Sequence, residues 1–594
     1  MVIIYEDEVR DNACNILGFN VEETDKGVEQ GVGQIKTFNQ MGFKGIKDRP
    51  DGWYLPKNTK DVAIIAEFKS SDKDLTASAW EKELKKNVDI VLTKYDNCVG
   101  ILHNGVDTRV FINNVELTTV SKELEHKMYY IRLIDDKPID KNRIYTITKK
   151  INDDLHFEFG MKNLYSRMIF TACALVATRY GAYLRANMNF NSLRFEIGDK
   201  IENEMNTNVR ENDKLQTLLD VFRGIQIDQT PNQRVIDTFV DNVKEISGLV
   251  NSSHWNGEDV MGIFFNEFSR YKGKSESGQV FTPDHITSFM IRLLNVNADD
   301  KVLDSACGSG AFLIKAMSTM IEQAGGVGTN KAKVIKESQL FGVEYDRQVY
   351  ALACANFLIH KDGKTNLLLG DSREESTNEW IKEKGITKVL MNPPYERKYG
   401  SMKIVENALN SVPVGTRSAF ILPDKHLEKH ASKTLLKNNK LDMVIKLDED
   451  TFYGVGVTTS IFVFTAGVPQ NGEEVFACYI EEDGLVTVKN QGRQDVRGRW
   501  QEIEDTWLNI IRRKTGSDTV QWLDPNEHLS WQEPQESFEI FEEDFIKTLL
   551  EYECYQRGID PKELGKDIIE TVLYNSTINE TDESINISVN KGGI

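Results

Sequence analysis

Positive charge is in short supply in this chain of 594 residues. Its 72 Lys and Arg stand against 92 Asp and Glu, a formal net charge of -20. That balance argues against a general nucleic-acid binder, because neutralising the phosphate backbone takes Lys and Arg. Cysteine is scarce as well. Seven are present, with no C-x-x-C pair, so neither a thiolate zinc site nor a disulfide framework is expected. A reducing cytoplasm fits that usage. Long apolar runs are missing too: the longest, around Met168 to Thr178, falls short of the roughly 20 residues that a spanning helix needs, and no membrane is expected. The opening M-V-I-I-Y-E-D-E-V-R is too acidic, and apolar too briefly, for a secretory signal. What is present, 40% hydrophobic and 28% charged residues, is ordinary for a globular protein, and the length calls for several domains.

The charge is unevenly spread. Carboxylates crowd Glu533 to Glu551, whereas Lys425, Lys429, Lys433, Lys437 and Lys440 form one basic run. Arg493, Arg497, Arg499, Arg512, Arg513 and Lys514 form another. Such runs are usually solvated faces. Residues 1–150 mix short strands and helices. Residues 151–277 read as helical, with apolar spacing in Leu164–Tyr180, Leu215–Phe222 and Val235–Val250. Residues 278–467 alternate strand and helix, the pattern of a doubly wound parallel sheet. Strands are expected at Lys301–Asp304, Leu340–Glu344, Asn366–Leu369, Lys388–Met391, Ser418–Leu422, Met443–Leu447 and Thr459–Phe464. Residues 468–594 read as a small α+β region, a possible partner or DNA contact, with a fraying polar tail from Thr577 to Ile594.

The chemistry gathers at strand ends. K-V-L-D-S-A-C-G-S-G ends a buried strand at Asp304 and turns through Gly308 and Gly310, which let the backbone approach a ligand closely. A dinucleotide fingerprint would need a third glycine at position 313, but Leu313 stands there, so a nicotinamide site is disfavoured. Glu344 ends the next strand, where a carboxylate can accept both hydroxyls of a ribose. Asp371 ends the third, placed to accept from an adenine amino group. The fourth runs V-L-M into N-P-P-Y. Pro393 and Pro394 stop the strand and hold Asn392 extended, with an exposed aromatic, Tyr395, on a stiff loop.

In this order the motifs G-Q-V-F-T-P, D-S-A-C-G-S-G, G-V-E-Y-D, G-D-S, N-P-P-Y and G-V-T-T-S-I-F-V-F resemble those of amino-group DNA methyltransferases of the γ class. The resemblance covers about 155–467 and includes a helical region like that of Type I modification subunits. It implies S-adenosylmethionine as cofactor. The cofactor contacts it implies are Gln279, Phe281, Thr282, Pro283, Asp304, Ala306, Cys307, Gly308, Gly310, Glu344, Asp371 and Asn392. It also implies that the Asn392 side-chain oxygen and the Pro393 carbonyl accept the two N–H bonds of adenine N6, freeing its lone pair for methyl transfer. Tyr395 would stack on the flipped base. Some cytosine-N4 enzymes share N-P-P-Y, but this motif order favours adenine.

A second constellation lies near the amino terminus. In R-P-D-G-W-Y-L-P-K-N-T-K-D-V-A-I-I-A-E-F-K, Asp51 precedes Glu67-x-Lys69 on a strand spanning Asp61 to Lys69. Two carboxylates and a lysine on adjacent short strands can hold Mg²⁺ and orient a water against a phosphodiester. The pattern resembles the PD-(D/E)xK nucleases, with Asp51 and Glu67 as metal ligands and Lys69 catalytic. Glu8 is a candidate extra ligand, against the simpler reading of a solvated helix residue. Nuclease, helical connector and Rossmann-like methyltransferase together resemble the fused restriction–modification enzymes of Types IIG and IIB. The residues after about 470 look too few and too acidic to read bases, so a hetero-oligomer with a separate specificity subunit on double-stranded DNA is expected. The rivals are a modification-only subunit with a degenerate nuclease fold, and a non-catalytic DNA-binding or defence-sensing protein.

Overall fold

The apolar run Val62–Ala66 becomes the centre of the first of two large sheets. In the computed structural model the described residues are 3–19, 28–33, 35–117, 120–134, 141–207, 212–250, 260–271, 282–360, 365–395, 400–424, 426–427, 432–452, 458–489, 491–516, 518–533, 541–566, 576–581 and 584–589. They fall into two units, Met1–Trp531 and Gln532–Ile594.

The first sheet has six strands in chain order: β1 (Val28–Val32), β2 (Gly52–Pro56), β3 (Ala63–Phe68), β4 (Cys98–His103), β5 (Thr108–Ile112) and β6 (Val115–Leu117). All neighbours are antiparallel except β3 and β4, which run parallel across the helix Ser78–Leu92. Alternation along β3 sends Ile64, Ala66 and Phe68 into one core and Ala63 and Ile65 into another. Glu67 has the parity of Ala63 and Ile65. At Gly100 of β4 a Cβ would meet Val88 Cγ2 at 2.9 Å and Leu84 Cδ2 at 3.3 Å, so the missing side chain lets that helix lie close on the sheet.

The helical segment forms as its spacing implies, with Leu164–Arg179, Asn212–Arg223 and Gln233–Val250 joined by Phe190–Thr207 and Val260–Phe268. It starts before residue 151: the helix Lys141–Asp153 sends Ile144, Ile147 and Ile151 into the same core. Ala351, Leu352, Ala355 and Leu358 of the helix Arg347–Ile359 pack there too, so connector and second sheet share one core. Among the described residues no helix is long and apolar enough to cross a membrane.

The second sheet has nine strands: β7 (Val302–Asp304), β8 (Leu340–Glu344), β9 (Asn366–Leu369), β10 (Lys388–Met391), β11 (Arg417–Pro423), β12 (Lys440–Lys446), β13 (Thr459–Thr465), β14 (Val475–Tyr479) and β17 (Val520–Leu523). The short hairpin β15 (Val486–Val488) and β16 (Gly492–Gln494) stands apart from it. The order is β17-β14-β12-β13-β11-β10-β7-β8-β9. All seven expected strands are there, but the sheet is not wholly parallel. β13 lies antiparallel between β11 and β12, because the chain turns directly back beside β12 instead of crossing over. Nor does the sheet stop at residue 467, since buried Val475–Cys478 pairs with β12 and Val520–Leu523 pairs with β14. From β7 the chain steps outward to β8 and β9, then returns to β10 on the other side. That reversal opens a crevice above the carboxyl ends of β7 and β10.

In the second unit, the helix Glu542–Gln556 precedes a hairpin of β18 (Ser576–Thr581) and β19 (Ser584–Val589). The tail expected to fray thus pairs six residues with six.

Candidate functional site

Asp304 closes β7 and is 2% exposed. Its Oδ1 accepts from Ala306 N at 3.1 Å, which bends the chain into the glycine turn. Glu344 closes β8 and accepts from Gly308 N at 3.0 Å and from Asp346 N at 2.9 Å. Cys307 N donates to Val343 O at 2.9 Å, stitching the turn to the same strand. Burial, with the Glu344 charge adding to it, pushes the Asp304 carboxyl up to about 8. Burial likewise pushes Glu344 up to about 7.

The two glycines of the turn serve different ends. Gly310 has φ +89 and a Cβ there would lie 2.8 Å from Phe357 Cε2, so packing demands it. Gly308 has φ +56, and a Cβ there would meet nothing within 4 Å among the described residues. Asn356 Nδ2 donates to Ser309 O at 3.0 Å and fixes the turn from the helix behind it.

At the end of β10, Asn392 donates from Nδ2 to Thr282 Oγ1 at 3.0 Å. Its Oδ1 is buried and has no hydrogen-bond partner among the described residues. Pro393 is buried, Pro394 half-buried. Tyr395 is not the exposed aromatic expected from the sequence. It is half-buried against the core, edge-on to Phe452 with centroids 6.2 Å apart, and its hydroxyl is buried without a well-formed hydrogen bond among the described residues. Burial pushes its phenol well up, against a smaller opposing pull from the nearby Asn392 side chain. Pro283 caps the helix Asp284–Leu293, its carbonyl accepting from Ile286 N and Thr287 N. Gln279 and Phe281 lie outside the described residues.

Asp371 follows β9 and has a partner that sequence reading missed. Arg373 donates to it from Nε at 2.8 Å and from Nη2 at 2.5 Å, which holds the carboxyl below its ordinary value. The same guanidinium lies 5.7 Å from the ring centroid of exposed Tyr345.

The amino-terminal constellation also comes together. Asp51, fully buried just before β2, accepts from Phe68 N at 2.9 Å and from Arg10 Nη2 at 3.2 Å. Glu67 is 1% exposed and accepts from Asn87 Nδ2 at 2.7 Å. Burial and the neighbouring Asp51 charge raise its pKa well above the carboxylate range. Lys69, just past the end of β3, lies 4.0 Å from Glu67 and 2.9 Å from Glu83, with its ammonium 4.9 Å from the Trp80 ring centroid. Burial alone would lower Lys69, but the Glu83 hydrogen bond and charge more than reverse it. Glu8 is exposed; its helix reaches Asp51 through Arg10 instead. Two buried carboxylates are hard donors that suit Mg²⁺, which keeps several waters and needs few protein ligands. Among the described residues no three His, Cys, Asp or Glu side chains cluster as a metal cage.

The basic runs are only partly free. The Arg493 side chain is 8% exposed and paired with Asp483, near Asp448 and Asp450, so it is structural. Arg497, Arg499, Arg512, Arg513 and Lys514 are exposed. Lys425 and Lys429 lie outside the described residues.

Residues 257–422 match the family model described as N-6 DNA Methylase, a segment that contains the glycine turn, Glu344, Asp371 and N-P-P-Y. The crevice lies within this matched segment. The Type II restriction enzyme and methyltransferase RM.BcgI of Heyndrickxia coagulans is 32% identical over 378 residues, covering 58% of this chain and 58% of that protein. The Type I restriction enzyme MpnII methylase subunit of Mycoplasma pneumoniae is 22% identical over 330 residues, covering 47% and 59%. The chain therefore spans less than two thirds of the length of either relative. A solved chain, described as showing complex assembly and conformational transition of the type I R-M system, aligns over 73% of this chain and 99% of its own at 16% identity and a TM-score of 0.49. The expected resemblance to a fused restriction–modification enzyme is borne out.

Proposed function

We propose that this chain is the catalytic part of a restriction–modification enzyme that methylates adenine N6 in double-stranded DNA and cleaves DNA with Mg²⁺, directed by a separate specificity subunit. The observation that carries the methylation reading is the buried Asn392 Oδ1, without a hydrogen-bond partner among the described residues, at the switch-point crevice. Asn392 Oδ1 and the Pro393 carbonyl accept the amino hydrogens of the target base. The prolines hold both acceptors in place before the base arrives, which is where electrostatic preorganisation does most for rate. S-adenosylmethionine fits the open space over Gly308 and the two acids Asp304 and Glu344, and when bound it supplies an electrophilic methyl group on a cationic sulfur.

In the cleavage reading, Asp51 and Glu67 hold the metal, which supplies charge neutralisation and an activated water. Lys69 stands beside the scissile phosphate and stabilises negative charge developing there. A specificity partner is supported by the net charge of -20, which leaves little cationic surface for DNA. One observation favours a second reading, a modification-only protein whose nuclease fold is structural: Arg10 already contacts Asp51. The test is a plasmid assay with S-adenosylmethionine and Mg²⁺, with and without a candidate specificity subunit. Methylation and cleavage that both require the partner support the proposal. Methylation without cleavage under every condition supports the second reading.

A further inference from the structure

The helix Ser78–Leu92 turns two polar side chains toward the amino-terminal constellation, and they lie one helical turn apart. Glu83 meets Lys69, and Asn87 meets Glu67. Asn87 is 5% exposed on a face otherwise buried through Leu84, Val88 and Val91. A buried amide there is costly unless bonded. Its Nδ2 donates to Glu67 Oε1 at 2.7 Å, which satisfies one end of the amide. The helix can come this near only because Gly100, opposite Ile65 in the β3–β4 pairing, presents no side chain to Val88 and Leu84. Close helix packing, the glycine and the amide thus act on one carboxylate.

We infer that Asn87 is a positioning residue for metal binding: it fixes the Glu67 carboxylate by one oxygen, so that the other is presented on the Lys69 side to a divalent cation shared with Asp51. This rests on the nuclease reading above. Without the amide, Glu67 is free to rotate, and the ligand pair must be ordered when the metal arrives. Partners that orient a metal ligand are typically worth about 10–100-fold in metal affinity.

The test uses terbium(III), a hard oxygen-seeking cation, added to the full chain without DNA. Luminescence sensitised by tryptophan reports binding, since Trp80 lies over Lys69 and Trp53 follows Asp51 by two positions. The site signal is the component that Asp51→Ala abolishes. Asn87→Ala and the similarly shaped Asn87→Leu should each weaken that component at least about tenfold, within the range for orienting partners. Both should raise the Mg²⁺ concentration for half-maximal cleavage while methyl transfer stays at the wild-type rate. Wild-type terbium affinity in both Asn87 variants, with the signal still lost in Asp51→Ala, would overturn the inference and leave the nuclease reading standing. No Asp51-dependent signal in the wild type would overturn both.

Discussion

Thr282 Oγ1 accepts from Asn392 Nδ2 at 3.0 Å, a bond that takes up one end of the amide. The end left over, Oδ1, is a buried acceptor without a partner among the described residues. Leaving such a group unsatisfied costs about 1–3 kcal/mol, so a ligand donor that satisfies it gains correspondingly.

Thr282→Val should therefore slow methyl transfer by about tenfold, about 1.4 kcal/mol of lost transition-state stabilisation, and leave cofactor affinity nearly unchanged. Single-turnover transfer of tritiated methyl and calorimetric titration separate the two effects. Weakened cofactor affinity at an unchanged rate would instead make Thr282 a cofactor contact.

Gly308 and Gly310 should respond differently to alanine. Gly310→Ala must accommodate both φ +89 and Phe357 at 2.8 Å, and should destabilise the fold by about 1–3 kcal/mol. Gly308→Ala meets open space, so its stability cost should be limited to roughly the 1–2 kcal/mol of a left-handed conformation. Its methyl group would intrude on the cofactor, and the larger change should be in binding. Urea unfolding and calorimetry on the same samples check this contrast.

Stability should depend on pH through the two acids of the crevice. Asp304 and Glu344 are raised to about 8 and about 7 when folded, and return to about 4 when unfolded. Between those values the folded chain binds more protons than the unfolded chain. Their contribution is thus fully present below about pH 4 and is lost as pH rises through about 7 to 8. Melting temperature should fall between pH 6 and pH 8.5, with a shallower fall in Asp304→Asn and in excess S-adenosylmethionine. An equal fall in Asp304→Asn would contradict the assignment.

Asp51→Ala and Lys69→Ala should abolish Mg²⁺-dependent cleavage and leave methylation intact, because the two constellations lie on different sheets. Gel assays of plasmid cleavage beside methyl incorporation check both activities. Loss of methylation in either variant would contradict their independence.

Much of the crevice was legible because its chemistry sits where strand, turn and helix signals coincide. Asp304, Glu344 and Asn392 each close or follow an expected strand, and the prolines mark the last of them. The antiparallel course of β13 was not legible, since the direction of a buried apolar strand depends on the connection and not on its composition. Val475–Tyr479 and Val520–Leu523 were hidden by intervening hairpin and helix, yet pairing brings them into the sheet. Tyr395 reads as exposed in a polar loop, but Phe452, far along the chain, covers one side of it. Arg493 reads as one member of a basic run, but Asp483, ten positions away, holds it. Arg10, Asn87 and Arg373 gave no motif, because their meaning comes from the carboxylates they meet in space.

The most direct measurement compares wild-type chain with Asn392→Ala, each with the specificity subunit, for tritiated methyl transferred to plasmid DNA and identified by nucleoside analysis. Label on N6-methyl-2′-deoxyadenosine from the wild type and none from Asn392→Ala is the expected result. Undiminished transfer by Asn392→Ala, or label found on cytosine, would contradict an adenine amino group held by Asn392.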